Sequence, residues 1–254
     1  VTFTQGRNEI NILDVESGRI QRRFAVGEVG AIQTLAWSPQ GNTIAFNGLD
    51  GGLSDLYLIG LDTDEARQLT NDRFAYLQPT WSPDGETLAF TTDRGAEGTN
   101  FETLQYGDYR IGFINIDSRE IRTLRPFERG MHHNPQYAPD GRSLYFVSDQ
   151  DGFKDVYRYA FDEEAVYRLT NIKTGVSGIT ALSPAMSVAQ QSGRMVFSLF
   201  SNSGYSVVAL DDDALTGVEM GFTTITDAAS DSLSAGAPAS DTTAVRPPDD
   251  DFAG

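Results

Sequence analysis

The chain has 254 residues, of which 39% are hydrophobic and 11% aromatic, enough for one large β domain or two small ones. A formal net charge of -17 disfavours a phosphate backbone as partner, so nucleic acid is not an expected ligand. Cysteine is absent, which excludes disulfides and thiolate metal sites. No apolar run reaches the roughly 20 residues of a membrane-spanning helix, so we expect no membrane insertion by this segment.

The chain opens on a strand pattern rather than on a turn. Residues 1–24 contain three strand signals, which match the second, third and fourth strands of a unit that recurs further along. We therefore predict a partial first blade over residues 1–24. Because the chain begins inside a strand, without a starting Met or a signal peptide, we expect it to be a fragment of a larger protein.

An apolar strand, a Ser-Pro or Ala-Pro turn and a second apolar strand recur along the chain. Clear copies span 35–46, 79–90 and 135–146, and a degenerate copy at 180–184 is expected to resume at Gly193. Pro presets φ, Asp bonds to its own backbone and Gly accepts positive φ, so Pro-Asp-Gly predicts a tight hairpin. The period of roughly 45 residues, with one longer interval, is typical of a four-stranded propeller blade.

These repeats predict an all-β fold, a β-propeller of four-stranded antiparallel blades followed by an irregular C-terminal tail. Further blades are expected at about 30–72, 76–125, 132–171 and 176–225, which gives five blades with the partial first one. A missing sixth blade would come either from upstream sequence or from a strand at 218–225 that pairs with the open first blade. The Trp or Tyr of each first strand, such as Trp37, Trp81 and Tyr137, is expected to fill the space between sheets.

Residues 226–254 differ in composition from the rest. They are rich in Ala, Ser, Thr, Asp and Pro and have no strand pattern, so we predict a low-complexity acidic tail. Such a tail is either an irregular coil or a surface for a partner.

The core of each copy is Trp-Ser-Pro-Asp-Gly with Leu-Ala-Phe, followed by Asp-Leu-Tyr or Asp-Val-Tyr and a closing Leu-Thr-Asn. This pattern resembles the blades of TolB-like β-propellers, best at Trp81–Phe90 and Tyr137–Tyr157, and covers about residues 1–211. Such blades occur in periplasmic TolB, in propellers beside peptidase domains and in large bacterial envelope proteins. The resemblance implies six or more blades in a closed ring and a channel mouth that docks partners.

Segments that lead from one blade to the next are expected to rim the central channel on one face. They would bring aromatic, imidazole and amide groups together, as in a peptide or ligand site. The expected partner-binding residues of this mouth are Tyr76, Gln78, His132, His133, Asn134 and Ser177. The alternative is that these segments serve only loop packing.

An insertion at 95–108 supplies a second candidate surface. Phe101, Leu104 and Tyr106 stand in an otherwise polar loop, and long loops in compact domains are commonly functional or disordered. These three side chains either contact a partner or pack over the edge of their own blade.

Catalytic motifs do not emerge from the sequence. The segment 175–179 lacks the last Gly of a nucleophile elbow, and no His-Glu-x-x-His pair occurs. His132 and His133 are the only histidines, and neighbours on a strand point opposite ways, so they are not expected to share a metal. Asp149, Asp151 and Asp155 fit a calcium loop poorly, and turn tethering explains them better. We expect no metal and no cofactor.

The leading hypothesis is a non-catalytic protein-binding or scaffolding propeller of the bacterial cell envelope, periplasmic or associated with the outer envelope. Its partner, another protein, would bind at the channel mouth, the inserted loop or the tail. One alternative is an accessory propeller of a larger peptidase or hydrolase whose catalytic domain lies elsewhere. The other is an accessory subunit of a membrane-associated complex.

Overall fold

The computed structural model of the chain describes residues 1–4, 7–27, 29–96, 98–180, 182–201 and 203–227. They form five antiparallel sheets that follow one another along the sequence, as predicted for a propeller. The sequence between 228 and 254, nearly all of the predicted tail, lies outside the described residues. No helix in the described part of the chain has the length and hydropathy to span a membrane.

Each sheet is one blade, and the blades are numbered in chain order. Blade 1 contains β1 (Thr2–Thr4), β2 (Arg7–Leu13) and β3 (Ile20–Ala25). Blade 2 contains β4 (Ala31–Trp37), β5 (Thr43–Asp50), β6 (Leu53–Gly60) and β7 (Ala66–Gln68). Blade 3 is built on β8 (Tyr76–Trp81), β9 (Thr87–Thr92), β10 (Arg110–Asn115) and β11 (Ile121–Leu124).

The later blades follow the same order from the inner to the outer strand. Blade 4 is built on β12 (His132–Tyr137), β13 (Ser143–Ser148), β14 (Asp155–Ala160) and β15 (Ala165–Arg168). Blade 5 contains β16 (Met186–Val188), β17 (Met195–Ser201) and β18 (Gly204–Leu210), followed by a single 3-10 turn at Asp212–Ala214. The last strands are β19 (Val218–Phe222) and β20 (Ile225–Asp227).

Consecutive residues of the middle strands in blades 2 to 4 are buried, so these sheets pack against neighbours on both faces. Four buried clusters result, and each lies between two consecutive blades. Representative pairs, from blades 1 and 2 to blades 4 and 5, are Ile10 with Phe46, Leu56 with Phe90, Phe113 with Phe146, and Val156 with Phe197. This inter-blade packing, rather than any single sheet, is the core of the molecule.

The final two strands do not close the ring, and the prediction that 218–225 pairs with blade 1 is wrong. β19 pairs with β15 and extends the outer edge of blade 4. β20 pairs with β11 and extends the outer edge of blade 3. The chain therefore runs back from blade 5 across two earlier blades, and Thr223 links them by donating its Oγ1 hydrogen to the Arg125 carbonyl at 3.0 Å and its N–H to the Glu164 carbonyl at 2.8 Å.

The fourth repeat copy was also placed wrongly. The hairpin of blade 5 is the turn after β16, where Ala189 N–H donates to the Arg194 carbonyl at 2.9 Å, as Ser38 N–H does to Thr43 in blade 2. Pro184 therefore precedes the inner strand instead of following it. A local Ser-Pro dipeptide resembled the repeat, whereas the true turn has no proline.

The aromatic residue of the first strand fills the inter-blade space in blades 3 and 4, where Trp81 and Tyr137 are buried, but not in blade 2. Trp37 has 51% of its surface exposed. The Trp81 indole donates to the Ala36 carbonyl on the inner strand of the preceding blade at 3.1 Å. Blade 1 has three strands, none of them an inner first strand, so Trp37 has no equivalent acceptor.

A glycine in the middle of β10 leaves room for the ring of Phe90, its cross-strand partner on β9 of the same blade. A Cβ on Gly112 would lie 2.2 to 2.9 Å from the buried Phe90 ring. We therefore expect Gly112→Ala to lower the free energy of unfolding by about 1–3 kcal/mol, the usual cost of overpacking. Gly204→Ala in β18, where a Cβ meets nothing within 4 Å, is the matched control. Equal urea midpoints for the two variants would contradict this packing argument.

Candidate functional site

The blade-to-blade connections and the hairpins between second and third strands lie at the same end of the molecule, because strand direction alternates within each blade. We call this end the loop face and the opposite end the turn face. Hydrogen bonds join the two kinds of loop: Ala75 N–H donates to Asp93 and Met131 N–H to Asp149, each at 2.7 Å, and Val176 N–H to the Lys154 carbonyl at 2.6 Å. The loop face is thus held together from blade to blade.

Two amide side chains lie at interruptions of the inner strands β8 and β12. Gln78 and Asn134 have positive φ, 53° and 55°, where the strand register shifts. The Gln78 side-chain oxygen accepts the Asn134 N–H at 2.8 Å. The Asn134 side-chain oxygen accepts the N–H groups of Ala185 and Met186 at 2.8 and 2.9 Å. These amides therefore connect blades 3, 4 and 5 around the inner rim.

In blade 5 the interruption of the inner strand is longer. Ser198 bonds to two residues, one on each side of this interruption: its carbonyl accepts the Ser177 N–H and its N–H donates to the Ala185 carbonyl, both at 2.9 Å. Residues 178–180 and 182–184, between these two partners, therefore lie outside the sheet. The Leu182 carbonyl in that segment accepts a hydrogen bond of 2.6 Å from the Gln78 side chain of blade 3. The chain's own backbone thus contacts one of the predicted mouth residues, which the sequence pattern did not reveal.

Tyr76 is fully buried beneath the same face. Its hydroxyl donates to Asp72 and accepts from the Arg94 Nε–H, both at 2.9 Å, while Arg94 pairs with Asp72 and lies 4.6 Å from the Phe74 ring centroid. Burial, followed by the charge of Asp72, raises the Tyr76 pKa well above its ordinary value. The phenol therefore stays neutral and joins the inter-blade connection to blade 3.

The two histidines are buried on opposite faces of blade 4. His132 contacts the rings of Phe127 and Phe146 on the side of blade 3, with its Nδ1 3.0 Å from the Ser148 hydroxyl. His133 pairs in register with Val147 and so faces blade 5. Burial lowers the pKa of each to about 4. Both imidazoles are therefore neutral at pH 7.

The structure brings the predicted mouth residues together, but it buries five of the six. Tyr76, Gln78, His132, His133 and Asn134 are buried and Ser177 is half-buried. They cannot present broad surfaces to a partner while the rim keeps this arrangement. Partner binding by these residues stays a prediction, and the surface available for contact lies in the loops around them.

The inserted loop does present such a surface. Phe101 is half-buried and contacts the rings of Phe74 and Tyr106, with centroids 5.1 and 6.3 Å apart. Beyond this aromatic support, Leu104 and Tyr106 have 70% and 59% of their surfaces exposed. Phe101 therefore packs against its own blade, as the second alternative predicted, whereas Leu104 and Tyr106 are exposed and their contact with a partner stays a prediction.

Other loop-face tips that the sequence reasoning missed are also apolar. Phe153 in the hairpin of blade 4 is 54% exposed, and Ile179 in the connection to blade 5 is 87% exposed. Leu53, Met131 and Tyr205 add further exposed side chains on this face. The sequence contains a signal for these exposed tips, because each is an apolar residue in or beside a polar, glycine-containing turn.

The aspartates weighed as a calcium loop are each bonded to other groups of the protein. Asp149 accepts the Met131 N–H, Asp151 pairs with Arg168 at 2.8 Å, and Asp155 accepts the Thr170 hydroxyl at 2.6 Å. Among the described residues, no three His, Cys, Asp or Glu side chains come together as potential metal ligands. Only Asp151 tethers its own turn, by accepting the Phe153 N–H at 3.4 Å, whereas Asp149 and Asp155 bond to other segments, so the turn-tethering prediction is wrong for these two. The expectation of no cofactor remains untested.

The five consecutive sheets and the blade-to-blade connections between them define a β-propeller built of tandem blades. Residues 1–102 match the family model described as the TolB beta propeller domain. The solved structure of TolB from Acinetobacter baumannii superimposes with a TM-score of 0.63 at 22% identity, over 88% of this chain and 50% of that one. The chain is thus a β-propeller whose first 102 residues are similar to the TolB propeller family.

Curated relatives share parts of the chain. An uncharacterized peptidase, YuxL, of Bacillus subtilis is 28% identical over 139 residues, which covers 44% of this chain and 21% of the relative. A TolB homolog of Chlorobium luteolum is 28% identical over 148 residues, covering 46% of this chain and 34% of the relative. The chain thus spans 21% and 34% of the length of these two relatives.

Proposed function

We propose that this chain is a non-catalytic protein-binding module of the bacterial cell envelope, located in the periplasm or at the outer envelope. The observation that carries the proposal is the set of exposed apolar tips on the loop face, led by Leu104 and Tyr106. Exposed apolar side chains on a rigid scaffold are typical of protein-interaction sites. The match to the TolB propeller and to proteins named TolB supports an envelope role.

The proposal is tested by site-specific photo-crosslinking in cells. A crosslinking side chain replaces Tyr106 on the loop face or, as the control, Val15 on the turn face, which is also exposed. We expect a discrete adduct with an envelope protein from position 106, several-fold stronger than from position 15, and its loss when Leu104→Asp is added. Adducts of equal yield from both faces would contradict a loop-face interaction.

A second candidate function is an accessory propeller of a larger peptidase. The support is the relative named as a peptidase and the likeness of fold to puromycin hydrolase, which is 18% identical with a TM-score of 0.56. An accessory subunit of a membrane-associated complex is the third candidate. Peptidase activity of the full-length gene product, retained after Leu104→Asp, would favour the second candidate over the first.

A further inference from the structure

We propose that the outer edge of blade 2 binds a segment of the chain itself, the residues around Leu233 that follow Asp227. This segment would add a fifth strand to the blade, as β19 and β20 do for blades 4 and 3. The proposal assigns the beginning of the acidic tail to a defined surface and goes beyond the partner-binding role of the loop face.

The outer edge of blade 2 is open. β7 is the last strand of its sheet, and no other strand pairs with its outer side within the part of the chain that the structure describes. Its residues Ala66, Arg67 and Gln68 are all exposed. Such an edge presents unpaired N–H and C=O groups, which accept an added strand. The corresponding edges of blades 3 and 4 are already paired with strands of the chain itself.

The path of the chain indicates which segment covers this edge. After blade 5 the chain pairs with the outer edge of blade 4 through β19 and then with that of blade 3 through β20, moving back by one blade with each strand. Both added strands are antiparallel to the strand that they cover, and only Thr223 and Thr224 separate them. The next edge in this direction is that of blade 2, and the sequence continues beyond Asp227 to Gly254.

A leucine recurs at the same place near the outer edge of three blades and serves as a reference point for these steps. In each blade it bonds to or pairs with the second residue of the third strand or its equivalent. The leucines are Leu69, Leu124 and Leu169, and their third-strand partners are Leu56, Ile111 and Val156, respectively.

The covering segment meets these leucines at a constant interval. Gly217 lies against Leu169, since a Cβ on this glycine would be 2.7 Å from the leucine Cδ2. Ile225, eight residues later in the sequence, is directly opposite Leu124. A further eight residues lead to Leu233, which would therefore lie opposite the equivalent leucine of blade 2.

The residue type at this position suits the proposed contact. Leu233 is the only large apolar residue between positions 228 and 244 of the sequence. Ile225 packs against the buried cluster between blades 3 and 4, and Leu69 belongs to the cluster between blades 2 and 3. A leucine opposite Leu69 would extend that cluster, while Ser232 and Ser234 would face the other way. Gly236 and Pro238 then favour a short strand, like the three residues of β20.

The test is disulfide trapping in the full chain, which has no cysteine of its own. In the proposed register Ala235 lies opposite Arg67, and opposite residues of antiparallel strands have Cα atoms within disulfide range. In a glutathione redox buffer we expect Arg67→Cys with Ala235→Cys to close an intramolecular disulfide. Its effective concentration should be roughly tenfold or more above that of Arg67→Cys with Ala244→Cys. Arg122→Cys with Asp227→Cys, which are opposite each other on β11 and β20, is the positive control.

A change of the apolar contact completes the test. Adding Leu233→Asp to the pair at 67 and 235 should remove its advantage, whereas Leu233→Ile should keep it. Equal effective concentrations for the partners at 235 and 244, or an advantage that survives Leu233→Asp, would overturn the proposal. A disulfide that joins two copies, seen as a covalent dimer on a non-reducing gel, would also overturn it by assigning the edge to a second copy of the chain.

Discussion

Replacing Asp155 with Ala is expected to lower the free energy of unfolding by about 3–5 kcal/mol, as for other buried ion pairs that lose one partner. The carboxylate is 0% exposed and accepts three hydrogen bonds, from the Thr170 hydroxyl at 2.6 Å, the Ile172 N–H at 3.0 Å and the Arg168 guanidinium. The Thr170 oxygen in turn accepts the Val156 N–H at 2.9 Å. One side chain thus joins the third strand of blade 4 to the segment that leaves the blade.

Asp151→Ala is the matched control for this loss. Asp151 pairs with the same Arg168, at 2.8 Å, but lies on the exposed hairpin, so its removal should cost under about 1 kcal/mol. Urea unfolding of both variants at pH 7 gives the two free energies. A cost for Asp155→Ala as small as that for Asp151→Ala would mean that the buried carboxylate does not hold the blade together.

The same arrangement recurs in blade 2, which gives the repeated Asp and Thr of the sequence motif a physical role. Asp55 accepts the Thr70 hydroxyl at 2.8 Å, and Thr70 accepts the Leu56 N–H at 3.0 Å. Gln68 takes the place of Arg168 and donates to Asp55 at 3.1 Å. Without a guanidinium partner, burial raises the Asp55 pKa. Asp55→Ala should therefore cost less than Asp155→Ala.

The strands of blades 1 to 4 could be predicted from the sequence because each blade is local: hairpins join neighbouring strands, and alternation shows which side chains are buried. Pairings between strands that are distant in the sequence leave no comparable local pattern. β19 and β20 pair with strands about 50 and 100 residues earlier, and no turn chemistry specifies those partners. Pairing of 218–225 with blade 1 was considered, beside a blade from upstream sequence, because blade 1 has an open edge.

The sequence analysis named residues of a partner site at the channel mouth, and partner binding by them stays a prediction. The sequence pattern indicated which connections rim one face, and the structure places Gln78, Asn134 and His132 there together. What the pattern could not give is burial, since polar residues at a rim either face solvent or bond across blades. In this chain they bond across blades, and the apolar tips Leu104, Phe153 and Ile179 are exposed instead.

The buried rim and the exposed tips have different roles in the loop face. A rim fixed by buried amides and a tyrosine–aspartate–arginine cluster keeps the blades in one arrangement, and the tips then need no ordering when a partner arrives. The rim is therefore expected to set the stability of the face, while the tips set its affinity. Substitutions at the tips should change binding without changing the melting temperature.

The stability of the fold is expected to fall between pH 7 and pH 4.5 because of His132 and His133. Burial lowers the pKa of each from 6.5 to about 4 in the folded chain. Between these values the unfolded chain binds more protons, so stability contributed by the neutral imidazoles is fully present above pH 6.5 and is lost as pH falls towards 4. Each histidine accounts for about 2–3 kcal/mol of that loss.

His133→Leu isolates one histidine from the carboxylates that also titrate. Burial raises the pKa of Asp55 and Asp93, and this acts in the opposite direction, since their neutral forms are favoured in the fold as the pH falls. Because both His133 nitrogens are unpartnered among the described residues, leucine should be tolerated at pH 7. The difference in unfolding free energy between pH 7 and pH 4.5 should shrink by about 2–3 kcal/mol. Ser177→Ala, at the same interface without a titratable group, should leave it unchanged; an undiminished difference in His133→Leu would show that this imidazole is not the one that titrates.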